Sequence, residues 1–411
     1  MSKERTKRFL LIFLAGMFLI HALVFWSLRD QLRKGYPDFT IFYAAGRIVR
    51  QGMASQLYDS ALQFRTQQEF ASRVETRQAA LPYNHPPFEV LLFVPLAGLP
   101  YFAAYLLWDL LNLLILAALP FLLRPYLPLM QRAPGVFWPF VSLAFFPVFI
   151  ALLQGQDILL LLLLFTLTFV ALKKKADFSA GCWLGLGLFR FHLVLPLLLI
   201  LLLHKKRKAI FGFALVAFAL GLISTVVVGW KQALAYPAWV WHIERVMGQG
   251  ATLVATMPNL RGLMQSIGLA HASQATANSV IAILSAALLL VTSAKWNFAG
   301  SGAVFDLGFS LAVVTTVLVG YHVLPHDLCL LLLPVLLVAN RFPELMPSGK
   351  RLALLVPMIV LFFTPVLMLL WFRYGQFSLL APVLLLWWWG IAREIGATLR
   401  SQKTSAVLES A

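Results

Sequence analysis

Apolar runs, most of them close to the roughly 17 to 25 residues that a hydrocarbon core of about 30 Å asks of a helix, recur from one end of this chain to the other. They fall at 9–28, 101–123, 136–153, 156–172, 178–190, 191–204, 208–229, 276–294, 303–320, 325–340, 351–371 and 376–392. Backbone N–H and C=O groups must be paired internally in lipid, so each run reads as a helix and the whole as an all-α integral membrane bundle of about twelve transmembrane helices. The first run follows Lys3, Arg5, Lys7 and Arg8, as in a secretion signal, but Leu28-Arg29-Asp30 offers no small-residue cleavage site. It is expected to remain as an anchor.

The stretch 86–100 is apolar but short and flanked by prolines, which leaves a span and a re-entrant half-helix both open. Positive charge decides between them. Without a crossing there, Lys173-Lys174-Lys175, Lys205-Lys206-Arg207-Lys208, Arg341 with Lys350-Arg351, and Arg393 with Arg400 share the N-terminal, cytoplasmic side. With a crossing, the first two clusters move outside. The first arrangement is expected, with both termini cytoplasmic in a cell membrane. It places two long loops, 30–86 and 230–275, on the non-cytoplasmic side, and loops of that length usually carry function. One membrane domain, 1–403, and a short cytoplasmic tail, 404–411, account for the chain.

Composition agrees: of 411 residues, 61% are hydrophobic and 12% charged, too little polar surface for a water-soluble fold of this size. The net charge of +17 would suit nucleic acid. Its carriers, however, are short clusters between apolar runs, which topology explains, so no nucleic-acid partner is expected. Cys182 and Cys329 both lie in apolar segments and supply neither a disulfide framework nor a metal cluster. Walker, GxGxxG, HExxH and GxSxG arrangements do not accompany the polar residues.

Under this topology the unusual polar residues gather outside. They are Tyr36 to Phe39, Tyr83 to Pro87 with His85, Gln154 to Asp157, Arg190-Phe191-His192, His242 to Arg245, Pro258 to Gly262 with Arg261, Tyr321 to Asp327, and Arg373 to Gln376. Ionisable groups at membrane depth cost about 2.5 to 3.5 kcal/mol each on insertion scales, so this convergence marks a candidate site at the outer interface.

Asp38 opens a segment, 39–51, with Phe42, Ala45 and Val49 at helical spacing, which predicts an amphipathic helix in the first outer loop. Its carboxylate can serve as the N-cap of that helix or as a general base toward a hydroxyl. A second amphipathic candidate, 60–79, with Leu62, Phe70 and Val74 on one side, can lie across the site entrance, while most of its charges read as those of a solvated surface helix. Gln156 and Asp157, in a turn permitted by Gly155, can bind sugar hydroxyls or cap a helix. His322, His326 and Asp327 crowd around Pro325, but a zinc site wants three or four ligands in good geometry, and no metal is expected. Arg190, Arg261 and Arg373 can bind phosphate bidentately or simply snorkel to the interface. Trp239, Trp241, Trp371 and Trp387 to Trp389 read as interface-belt residues.

Taken in order, YPDFTIFYAAGRIVRQGMASQLYD, NHPPFEVLLFVPLAGLP with a Trp-containing span after it, LLQGQD and YHVLPHDL resemble the GT87 group of GT-C membrane glycosyltransferases, the polyprenyl-phosphate-mannose-dependent α-mannosyltransferases. The resemblance implies a GT-C-type bundle, a donor sugar carried on polyprenyl phosphate, and a lipid or glycan acceptor. It also implies an acidic general base in the first outer loop, which matches Asp38. The family's glutamine turn matches Gly155-Gln156 and its late His-Asp element matches His326-Asp327. Asp157 stands where members commonly carry Asn, and Arg190-Phe191-His192 where Lys is more usual.

The expected function is therefore transfer of a hexose, by the resemblance mannose, with inversion on the non-cytoplasmic face, without a nucleotide or metal cofactor. Asp38 is the expected base, and His85, Gln156, Asp157, Arg190, His192, Arg261, His322, His326 and Asp327 are the expected substrate-binding residues. The rival readings are a lipid or solute transporter, whose polar site would lie nearer the bilayer midplane, and a non-catalytic assembly subunit.

Overall fold

The structure is a computed structural model that describes residues 3–74, 80–132, 137–248, 254–268, 273–296, 298, 302–342 and 352–410. Among the described residues there are helices and no strands, in the order α1 Lys3–Ser27, α2 Arg29–Lys34, α3 Phe39–Arg50, α4 Ser60–Ala71, α5 Tyr101–Leu123, α6 Pro128–Arg132, α7 Phe137–Leu143, α8 Phe146–Gln154, α9 Ile158–Lys173 and α10 Asp177–Leu186. The order continues with α11 Phe191–Leu203, α12 Arg207–Val228, α13 Trp230–Gly248, α14 Leu260–Ser266, α15 Gln274–Lys295, α16 Ala303–Val319, α17 Leu332–Ala339, α18 Leu352–Phe362, α19 Thr364–Met368 and α20 Leu380–Ser410.

Among the described residues six stretches are long and apolar enough to cross a membrane, or up to eight if each of two bent pairs counts as one span, which does not confirm the twelve expected. The bends explain part of the difference. The run expected at 136–153 breaks by 71° between α7 and α8, where Pro147 enters the first turn of α8, and the run at 351–371 breaks by 69° ahead of Pro365. Ile158–Lys173, Ala303–Val319 and Pro325–Ala339 are shorter apolar helices. At 1.5 Å per residue, 16 residues of α9 reach only about 24 Å. They lie deep in the bundle, sheathed by protein: every residue of α16 from Val304 to Leu318 is buried.

Asp177–Leu203 is long enough for a single span, yet it folds back on itself. A 3-10 turn, Gly187–Arg190, separates α10 from α11, and Lys206, just past the end of α11, pairs with Asp177 at the start of α10 at 3.1 Å. Two close approaches hold α10 against α12. A Cβ at Gly181 would run into the Ala209 carbonyl, and one at Gly212 into the Phe178 carbonyl, so only glycine lets the two backbones touch.

The same pairings sort the bundle into two ends. At one end Asp306, fully buried, is clamped by Lys173 at 2.5 Å and Arg341 at 2.9 Å, with the Lys206–Asp177 pair on the same side as Lys173. From there α9 and α16 run to the opposite end, where the turns at 154–157, 187–190 and 320–327 lie together. The basic clusters at 173–175 and 205–208 and Arg341 therefore sit opposite the polar turns; Lys350 and Arg351 lie outside the described residues.

The stretch 86–100 forms two short 3-10 turns, Pro87–Leu92 and Leu96–Gly98, and no helix able to cross. It roofs α3, whose apolar face (Phe39, Phe42, Ala45, Ile48) is buried under it. The Phe42 and Phe93 rings stack at 4.6 Å. Helix α4 forms within the second amphipathic candidate, whose residues 75–79 lie outside the described residues. Its glutamines are not solvated: Gln63 and Gln67 are buried and bind the backbone of Leu57, Leu81 and Tyr83, which fixes the strand-like segment leading to His85.

Removing the buried anion leaves two cations facing each other, so Asp306→Leu is expected to lower stability by about 3–5 kcal/mol. Thermal unfolding of the purified protein in detergent measures this, and an unchanged midpoint would show that the clamp contributes little.

Candidate active site

At the polar end a cavity of about 670 Å3 opens between α3, the 81–85 segment, the 187–192 turn, α13 and the 320–326 turn. Asp38, His85, Gln156, Arg190, His192, His322 and His326 line it, together with apolar side chains that include Ile41, Phe42, Phe189, Phe191 and Val240.

Gly155 builds the turn on which the site rests. It ends α8 at φ +61°, a left-handed conformation that side chains resist, with its N–H bonded to Leu152 O and the next N–H to Ala151 O. A Cβ there would also meet Phe39 Cβ at 2.7 Å and the Tyr105 ring at 3.1 Å. From α5, Trp108 and Asn112 donate to the Gln156 carbonyl at 3.2 and 3.1 Å, and Tyr105 donates to the Leu152 carbonyl at 2.9 Å.

So held, the Gln156 side chain joins two opposite charges. Its Nε2 donates to Asp38 Oδ2 at 2.8 Å and its Oε1 accepts from Arg190 Nη2 at 2.5 Å. Asp38 occupies the N-cap position of α3, but its side chain makes no capping bond; its backbone N–H donates to Gln154 Oε1 at 3.0 Å. The capping role open from sequence is thus not the one its carboxylate plays. Asp38 is half-buried and faces the cavity, with Gln156 fixing one oxygen.

Arg190 is buried and bound on several sides. Its Nε donates to Asp157 Oδ1 at 2.9 Å, Nη2 donates to the same oxygen, and Nη1 lies 3.4 Å from Asp327 Oδ1. Asp157 and Asp327, expected to bind substrate, are fully buried behind this guanidinium and do not line the cavity. Asp157 does not cap α9 with its side chain either, and Asp327 also accepts from the Leu324 N–H at 2.7 Å. Arg261 stays at the rim, over the Tyr321 ring at 4.2 Å, and Arg373 is exposed away from the cavity lining. The His192 and His322 rings meet edge to face with centroids 6.3 Å apart.

Sequence reading passed over three contributors. Glu89, one helical turn past His85 and fully buried, lies with Oε2 2.7 Å from His85 Nδ1. A lone carboxylate inside the apolar stretch 86–100 was its signal. Tyr236 and Trp241 of α13 also line the cavity, and Tyr236 and Trp239 donate to the Asn84 and Tyr83 carbonyls at 3.1 Å each, tying α13 to the 81–85 segment. Trp241, expected only as an interface-belt residue, is therefore part of the site wall.

Burial dominates the electrostatics. Desolvation keeps His85 neutral, its pKa lowered to about 3, and pushes Glu89 well up, helped by the charge of Asp157. Burial also acts to raise Asp157, but the Arg190 guanidinium overcomes it and holds that carboxyl below its usual range. The arrangement offers a fixed carboxylate at a cavity wall beside an imidazole-rich, guanidinium-backed pocket. That combination can take a proton from a hydroxyl and hold an anion.

Ala in place of Gly155 meets both the left-handed backbone and the Phe39 contact. The substitution is expected to cost more than about 1 kcal/mol, read as a lowered unfolding midpoint. A variant as stable as the original would show that this turn relaxes freely.

The family model described as glycosyltransferase family 87 matches residues 83–324, a span that holds the cavity-lining residues from Asn84 to Leu324. No curated protein and no solved structure matches the chain.

Proposed function

The chain belongs to glycosyltransferase family 87, and from that footing we propose that it transfers a hexose, mannose by the resemblance of its motifs, from polyprenyl phosphate to a hydroxyl of a lipid or glycan acceptor. The observation that carries the reading is the Asp38–Gln156–Arg190 link, which fixes a carboxylate and a cation together on the wall of one cavity.

Asp38 takes the proton of the acceptor hydroxyl as its oxygen attacks the anomeric carbon. The new C–O bond forms as the bond to the phosphate oxygen breaks on the opposite face, so the configuration at that carbon inverts. The electron pair leaves with polyprenyl phosphate. His192, His322 and His326 donate hydrogen bonds toward that phosphate, and Arg190 contributes its charge from behind them. Arg261 at the rim guides the anion in. The apolar part of the lining suits the first units of a polyprenyl chain, which lipid-facing helices then receive. A nucleotide is not needed, because the donor is already activated.

The polar end is proposed to face the non-cytoplasmic side. The support is the charge distribution: the lysine clusters at 173–175 and 205–208 lie at the other end, and short basic connections are retained in the cytoplasm. A transporter is the second reading; its polar site would sit at mid-depth, whereas the polar turns here gather at one end of the bundle.

Two experiments follow. Asp38→Asn is expected to reduce transfer of labelled mannose from polyprenyl-phosphate mannose by about 10²- to 10⁴-fold while donor binding persists. Equal transfer by both proteins would remove the base role. For the facing, single cysteines placed at Asn84 and at Lys174 in a Cys182→Ser, Cys329→Ala background are to be labelled in intact cells with a membrane-impermeant maleimide. Labelling at 84 and protection at 174 is expected, and the reverse pattern contradicts the orientation.

A further inference from the structure

The cluster behind the cavity carries more formal negative than positive charge. Asp38, Glu89, Asp157 and Asp327 gather around one buried guanidinium, that of Arg190. Four buried atoms there make no hydrogen bond of good geometry: His85 Nδ1, both carboxylate oxygens of Glu89, and Asp157 Oδ2, although His85 Nδ1 and Glu89 Oε2 lie in ion-pair contact. Buried polar atoms left without partners cost free energy, and carboxylate oxygens cost most.

Three of them, one from each residue, converge. The ligating atoms of His85, Glu89 and Asp157 lie within 4.8 Å of one another, with His85 Nδ1 2.7 Å from Glu89 Oε2 and 3.7 Å from Asp157 Oδ2. The local backbone arranges it. Pro87 starts a 3-10 turn, which brings His85 and Glu89, four residues apart, to the same side, facing the start of α9 where Asp157 sits. His85 is held from elsewhere, its carbonyl accepting from Tyr58 Oη at 2.8 Å and its ring meeting the Phe42 ring at 4.8 Å. Arg190 occupies Asp157 Oδ1 and leaves Oδ2 turned to the other two residues.

One imidazole nitrogen and two carboxylates form a donor set used by three-ligand divalent metal sites, in which further coordination positions stay open. We propose that His85, Glu89 and Asp157 bind one divalent transition-metal ion, zinc or a close chemical neighbour, in the wall of the cavity. The ion satisfies one of these atoms from each of the three residues and brings two positive charges into a carboxylate-rich pocket. Asp157 then bridges it to Arg190, the kind of shared carboxylate that orients a metal site from its second side. The His322, His326 and Asp327 trio weighed from sequence does not compete for this role, because Asp327 is committed to Arg190 and to the Leu324 N–H. This inference goes beyond sugar transfer and stands on separate observations.

The test is metal content. Full-length, tag-free protein in detergent is stripped with a chelator, dialysed against Zn2+, passed through gel filtration and analysed by mass spectrometry for zinc. Wild type and Asp38→Asn are expected to retain one zinc per chain, with retention at least about ten-fold weaker in Glu89→Gln and in His85→Ala. Circular dichroism confirms that each variant folds, and the near-isosteric Glu89→Gln stands if His85→Ala does not. Wild type that holds no more zinc than Glu89→Gln overturns the proposal and leaves a proton on Glu89 as the cluster's means of neutralisation. Transfer assays report on the glycosyltransferase reading independently of that result.

Discussion

A guanidinium taken out of water costs several kcal/mol unless anions and acceptors meet it in good geometry, and Arg190 is met by Asp157, Gln156 and Asp327. Those partners come from two further turns, so this one buried cation pins the ends of α8 and α9, the α10–α11 hairpin and the 325–331 turn to a common point. Through Gln156 the constraint reaches Asp38, which comes from the other side of the cavity. The carboxylate and the anion-binding side of the pocket are thereby set relative to each other by fixed hydrogen bonds. Rim residues such as Arg261 are not needed for that geometry.

Much of this was legible from the pattern of residues. Polar breaks between apolar runs identified the segments that converge, and the lysine clusters predicted that 86–100 does not cross. What periodicity could not provide was the role of each polar side chain within the cluster. Asp157 and Asp327 look like sugar ligands in one dimension, whereas in three dimensions their burial behind Arg190 makes them its counter-ions. Glu89 sat unnoticed in an apolar stretch, because nothing in its neighbours' spacing reveals that it returns to His85 across a 3-10 turn.

Length alone does not confirm twelve spans, for a related reason. The turn at Gly187–Arg190 separates the runs expected at 178–190 and 191–204, so each passes between the two ends although neither is long, and prolines bend the runs at 136–153 and 351–371. Short helices such as α9 and α16 survive at membrane depth because neighbouring helices surround them, which relaxes the need to match the bilayer. These irregularities place helix ends, with their free backbone groups and capping turns, at the polar end where a site can be assembled. A bundle of straight, full-length spans would bring fewer turns together there.

The account depends most on where an anionic donor binds. A cryo-electron microscopy structure with polyprenyl-phosphate mannose, using the Asp38→Asn protein to prevent turnover, would locate it directly. The account predicts the phosphate among His192, His322 and His326 with Arg190 behind it, and the anomeric carbon within reach of residue 38 through an acceptor hydroxyl. A phosphate seated outside this cavity, for instance at the apolar groove lined by His21, Phe25 and Asp109, would contradict it.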